Sequence, residues 1–327
     1  MKMMLLAVFL VSSSGAAMVS AENAIDVKPD QVYGHKYGLA MTFDVFTPPK
    51  ANGAAVLFIN SGGYVSGQMR QCALREDSGW VFLPIHPAEP WMLPPLIVEQ
   101  YSFEKLLAAG FTVFDVRCGS SPRFTIDEMA EDCRRAVRHI QFHAQSYGID
   151  PARIGLWGGS AGGHLALLTA VRVVRGETGD RRIVGAFELN RFPAPELEAG
   201  GRVRAVAAYY PAGYDLVSDR SEFPEVFPLL PALSVSDSVL AAVSIKDYVS
   251  ATSPPTLIIY GDQDFPFIVN ASRKIAADLE KNAVEVKTVV LPGVAHEFKG
   301  PQGYANAAPG RVAMNELVAW FKAKLLG

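Results

Sequence analysis

Residues 154–164 read Ile-Gly-Leu-Trp-Gly-Gly-Ser-Ala-Gly-Gly-His. An apolar, strand-length run ends in glycines, one serine sits between them, and a helix-forming stretch follows. Gly158, Ser160 and Gly162 fit the pattern G-x-S-x-G. The reason for that spacing is steric. A serine held at a sharp strand-to-helix turn exposes its hydroxyl above the sheet, and a Cβ two residues before or after it would collide with the turn. The pentapeptide alone is a weak signal in a chain with 28 glycines, so its surroundings must support it. Residues 163–172 continue as a helix suited to burial, and two further groups that could work with Ser160 follow downstream.

The first is a carboxylate. Residues 255–260, Pro-Thr-Leu-Ile-Ile-Tyr, form a continuous apolar run of the kind that fills a central parallel strand. It leads into Gly261, Asp262, Gln263 and Asp264. A side chain just past such a strand faces the crevice where open α/β sheets bind ligands. Asp264, three residues after the glycine, is the expected acid. Asp262 reads as a turn residue bonding nearby backbone.

The second is a histidine. Residues 284–291 alternate and then turn apolar, and His296 lies in the loop that follows. A neutral imidazole there can accept a serine proton and return it to a leaving group. The order Ser160, Asp264, His296 suits a nucleophile, an orienting acid and a general base. The other histidines are at 35, 86, 139, 143 and 164. His139 and His143 share one helix at i, i+4, without the motif of a metal site, and are expected on the helix surface. His164 is expected to pack beside the serine turn.

Residues 54–60 form another buried run, followed at once by Ser61, Gly62, Gly63 and Tyr64. Attack on a carbonyl builds negative charge on its oxygen, which preorganised backbone N–H groups must meet. The expected donors are the amides of Gly62, Gly63 and Ala161.

With these pieces in place, the chain resembles the α/β-hydrolase carboxylesterases, in particular the bacterial feruloyl/acetyl-xylan esterase-like group and its hormone-sensitive-lipase-like relatives. Residues 32–48 look like that group's opening hairpin, residues 60–67 like its His-Gly-Gly-Gly-Trp loop, and residues 147–166 match its serine turn over their whole length. Asn60 and Ser61 depart from the usual His and Gly, while the two donor glycines remain. The resemblance implies an α/β-hydrolase fold: a mostly parallel central sheet with helices on both faces and cap-like insertions. It also implies a cofactor-free serine esterase, with Ser160, His296 and Asp264 as its triad. The implied substrates are small-molecule or polysaccharide esters carrying acetyl or feruloyl groups. A general short-chain carboxylesterase or lipase-like enzyme is the alternative within the class. A non-catalytic binding module on the same scaffold is the alternative outside it.

The 327 residues carry a net charge of −3 and are 50% hydrophobic. A large core is therefore available, and no basic stripe suggests nucleic acid. Lys2, an apolar stretch over 3–11 and the small residues at 19–21 read as a signal peptide over 1–21. Its apolar core is too short for a comfortable membrane span. Export, to the periplasm or beyond, with a hydrolase domain over 22–327, is the expectation. Of Cys72, Cys118 and Cys133, two can pair in an oxidising compartment, and sequence does not say which. Three segments, about 68–100, 185–201 and 214–253, break the strand–helix rhythm and are expected to shape access to the site.

Overall fold

The computed structural model describes residues 25–66, 69–75, 79–84, 103–174, 202–300 and 307–327. Its centre is an eight-stranded sheet. The first two strands, β1 (Asp26–Lys36) and β2 (Leu39–Thr47), form an antiparallel hairpin at one edge. Then come β3 (Ala55–Ile59), a separate hairpin of β4 (Met69–Arg75) and β5 (Gly79–Pro84), and β6 (Thr112–Val116). The remaining strands are β7 (Ile154–Gly159), β8 (Ala205–Tyr209), β9 (Thr256–Gly261) and β10 (Val286–Leu291). The order across the sheet is β1-β2-β6-β3-β7-β8-β9-β10. From β6 to β10 all pairs are parallel, and β2 meets β6 antiparallel.

The five central strands are buried along their whole length. That is why β3, β7, β8 and β9 read as apolar runs rather than alternating ones, while β6 is broken by the buried Asp115. Edge strand β10 is only partly covered, with Lys287, Thr288 and Val290 exposed. Parallel strands need crossovers, and these are helical. The main helices are α1 (Glu104–Ala108), α2 (Ile126–Phe142) and α3 (Ala161–Val174). Helix α2 packs on α3. After β8 the segment expected to be an insertion folds into α4 (Leu216–Glu222), α5 (Asp237–Ala242) and several single 3₁₀ turns. Helix α6 (Pro266–Lys281) joins β9 to β10, and α7 (Ala308–Leu325) packs on α1 and the sheet. Gly155 leaves room for the α7 ring of Phe321, which a Cβ there would meet at 2.4 Å.

Helix α2 begins where its local chemistry says it should. The Thr125 hydroxyl accepts from the Glu128 N–H at 3.2 Å, and the Glu128 carboxylate accepts from the Thr125 N–H at 2.9 Å. This reciprocal box satisfies two orphan donors. Gly148, left-handed at φ 65°, closes the 3₁₀ turn that follows α2. Thr125→Ala is expected to cost about 1 kcal/mol, lowering the melting temperature by about 2 °C without changing activity. Thermal unfolding followed by circular dichroism checks this.

Two sequence expectations change here. His139 and His143 are half-buried rather than on the surface. The β1–β2 hairpin folds over α2 and brings the Phe43 ring to 5.8 Å from His139. Burial, with His143 beside it, pulls the His139 pKa down to about 4. Cys118 and Cys133 are free, buried thiols, and the Cys72 side chain lies outside the described residues. So do the signal-peptide segment, residues 185–201 and all of 68–100 beyond the backbone of β4 and β5. Among the described residues, no helix is long and apolar enough to cross a membrane.

Candidate active site

Strand β7 delivers Ser160 into a strained turn, with φ at +53°. The flanking glycines are required by contact. A Cβ on Gly158 would lie 2.4 Å from the Gly162 backbone, and one on Gly162 would lie 2.4 Å from the Ile59 carbonyl oxygen. The turn is held from both sides. Ser160 N–H donates to Tyr209 O at 2.9 Å, and Gly162 N–H donates to Ser61 O at 2.9 Å. The second bond fastens the serine turn to the loop after β3.

The acid and base loops are zipped together at the ends of β9 and β10. Asp262 N–H donates to Leu291 O at 3.1 Å, and Gln263 N–H donates to Val294 O at 3.0 Å. The Asp262 carboxylate accepts from Gly293 N–H at 2.7 Å, which is the turn role expected of it. The base loop crosses so close to Gly261 that a Cβ there would sit 1.9 Å from Val294 O. That crossing sets His296 beside Asp264. His296 Nδ1 lies 2.8 Å and 3.1 Å from the two Asp264 oxygens, and His296 Nε2 lies 3.1 Å from Ser160 Oγ.

The Asp264 carboxylate also accepts from the Phe265 N–H at 2.7 Å, and its side chain is wholly buried. A buried carboxylate can only accept, so Nδ1 carries the imidazole proton and Nε2 is left to accept from the serine hydroxyl. Three side chains from three loops thus form one hydrogen-bonded chain at the C-terminal end of the sheet. The imidazole is flanked by the rings of Tyr210, 4.8 Å away, and Phe265, 5.3 Å away. Glu297 and Phe298, just after His296, both have positive φ, so the loop carries backbone strain at the site.

The expected oxyanion donors divide. The Gly62 N–H is already committed to Val65 O at 3.0 Å, in a tight turn closed by the reverse bond at 2.9 Å. It is therefore corrected from donor to turn-former. The four-residue reversal Gly62–Val65, which includes Tyr64, consumes its N–H. Among the described residues, the Gly63 and Ala161 amides have no internal acceptor. These two remain to meet a developing negative charge.

Sequence reading missed several supports. The departure at Asn60 is filled by a buried bond, Asn60 Nδ2 donating to Asp115 Oδ1 at 3.1 Å. A carboxylate inside the fully buried strand β6 was the available signal, since such groups require partners. Arg117, just after β6, donates to Asp44 Oδ2 at 2.8 Å. His164 is fully buried beside the serine turn, as expected, but its two partners were not foreseen. Tyr64 Oη lies 2.9 Å from its Nδ1, and Val243 O lies 2.8 Å from its Nε2.

Comparison with known proteins agrees with this arrangement of elements. The BD-FAE family model matches residues 97–279. The esterase LipQ of Mycobacterium tuberculosis (strain ATCC 25618 / H37Rv) is 28% identical over 221 residues, covering 65% of this chain and 49% of LipQ. This chain thus spans about half the length of that relative. An ethyl acetate hydrolase of Pseudomonas putida is 26% identical over 266 residues, covering 80% of this chain and 72% of that protein. Among solved structures, a truncated carbohydrate esterase from gut microbiota superposes with a TM-score of 0.64 at 17% identity, covering 94% of this chain and 99% of that one. The shared architecture is the α/β-hydrolase fold.

Proposed function

This chain belongs to the BD-FAE family, and we propose from that membership and from the site that it is a serine carboxylic-ester hydrolase. The observation that carries the reading is the continuous chain Asp264–His296–Ser160 beside two uncommitted amides. His296 Nε2 takes the Ser160 proton as Oγ attacks the ester carbonyl. The carbonyl oxygen becomes an oxyanion, and the Gly63 and Ala161 N–H groups stabilise it. Asp264 holds the imidazole in the productive tautomer and stabilises its cation. Collapse expels the alcohol, which receives the proton from His296 and leaves Ser160 acylated. Water then repeats the sequence with His296 as base, releasing the acid and restoring the serine.

The substrate class we favour is an acetyl or feruloyl ester on a sugar or polysaccharide, met outside the cytoplasm. The leader-like pattern at 1–21 and the family membership support it. Phe265 is consistent with it. Its ring is 52% exposed beside His296 and stacks at 5.8 Å on Phe267. The imidazole delivers its proton to the leaving alcohol, so that ring flanks the alcohol side, where a sugar face can pack on it.

The test holds the acyl group constant and varies the alcohol, comparing acetylated xylo-oligosaccharide with ethyl and p-nitrophenyl acetates. Preference for the sugar ester by 10-fold or more in kcat/KM supports the polysaccharide reading. Equal rates on all three point to a general short-chain esterase. Labelling with a fluorophosphonate is run in parallel. Folded protein that neither labels nor hydrolyses any of these esters is a binding module, and the enzyme reading then fails.

A further inference from the structure

We infer that His164 and Tyr64 are positioning residues that set the oxyanion donors, acting through a buried relay from the segment after β8 to the turn after β3. The inference rests on the esterase reading above and names groups that do not touch the reacting atoms.

Both members of the relay have one hydrogen-bonding solution. Val243 O can only accept, so His164 Nε2 carries the proton and donates to it at 2.8 Å. His164 Nδ1 is then an acceptor, and the Tyr64 hydroxyl donates to it at 2.9 Å. The two rings meet edge to face at 5.9 Å. His164 is 0% and Tyr64 2% exposed, so water cannot replace either bond. Burial pulls the His164 pKa down to about 4, which keeps Nδ1 an acceptor at neutral pH.

The relay ties together the two parts of the hole. Tyr64 directly follows Gly63, and both hold positive φ, 65° and 55°. A tyrosine does not rest there without restraint. Its carbonyl accepts from Ser121 N–H at 2.9 Å, and its hydroxyl is tied to His164. His164 stands on the first turn of α3, whose first residue is Ala161, the other donor. The Tyr64–His164 bond therefore fixes the Gly63 N–H relative to the Ala161 N–H. The far end is built around the imidazole as well. Gly213, at φ 87°, passes so close that a Cβ would lie 2.3 Å from His164 Cδ2. Only glycine lets the chain lie over the ring and bring Val243 to it.

The experiment compares Tyr64→Phe, His164→Asn and His164→Gln with the wild type. It reads kcat, KM, the rate of Ser160 phosphonylation by a fluorophosphonate, and melting temperature. An Asn oxygen takes the place of Nδ1 and still accepts from Tyr64. A Gln amide reaches Val243 but leaves Tyr64 without its acceptor. The expected result is a fall of about 10–100-fold in kcat for Tyr64→Phe and His164→Gln, less than the about 10²–10³ of an oxyanion donor removed outright, because here the donor is misplaced rather than lost. Their KM should stay within about twofold, with a parallel fall in phosphonylation. His164→Asn should keep most of the wild-type kcat even if its melting temperature falls. Folded Tyr64→Phe with wild-type kcat and labelling rate overturns the relay. So does an order in which kcat tracks melting temperature across all three variants. A wild type that neither labels nor turns over esters overturns the esterase reading itself, and the relay with it.

Discussion

Ser160→Ala is expected to lower ester turnover by about 10⁵–10⁶, the scale on which a covalent nucleophile is lost. KM and melting temperature should barely move. The substitution removes one oxygen and keeps the Cβ. The backbone bonds that hold the turn, from Ser160 N–H to Tyr209 O and from Gly162 N–H to Ser61 O, do not involve that oxygen. Fluorophosphonate labelling, read by intact mass, should disappear with turnover. Retained labelling in Ser160→Ala would place the nucleophile elsewhere and end this mechanism. The companion Ser160→Gly should be equally inactive yet more stable, by about 1 kcal/mol. Glycine rests comfortably at φ +53°, where serine does not. A nucleophile that weakens the fold it sits in is the expected mark of a site selected for chemistry rather than stability.

The central sheet was legible because burial on both faces writes itself into composition. The strands β3, β7 and β9 each read as an apolar run. Ser160, Asp264 and His296 were legible for a related reason. Each stands in the loop past a strand of the sheet, β7, β9 or β10, where side chains point into the crevice. What remained hidden depends on backbone direction rather than residue type. Two adjacent glycines look equally able to donate. Only the fold shows the Gly62 N–H turned toward Val65 O and the Gly63 N–H left over. The relay joins residues 64, 164 and 243, separations at which no local pattern operates. His139 gave the opposite error. Its position on α2 suggested solvent, and the β1–β2 hairpin, far away in sequence, covers it.

The two aspartates after β9 give the second test, because one loop offers both and the structure assigns them different work. Asp264→Asn is expected to lower kcat by about 10³–10⁴. The loss has two sources. The negative charge that stabilises the imidazolium in the transition state is gone. An amide N–H in the place of Oδ2, 3.1 Å from Nδ1, also presents a donor where the imidazole needs an acceptor. That favours the tautomer with its proton on Nε2, which cannot accept from Ser160. KM should change little, since Asp264 is buried behind His296 and away from any bound ester. Asp262→Asn should cost less than 10-fold. Its partner is the Gly293 N–H at 2.7 Å, and an amide oxygen accepts that bond as well as a carboxylate oxygen can. Steady-state kinetics on both variants, with melting temperatures alongside, separate the roles. If Asp262→Asn were the damaging change and Asp264→Asn the mild one, the carboxylate that orients His296 would be the other member of the loop. The hydrogen bonds at 2.8 Å and 3.1 Å to Nδ1 would then have to break before the reaction begins.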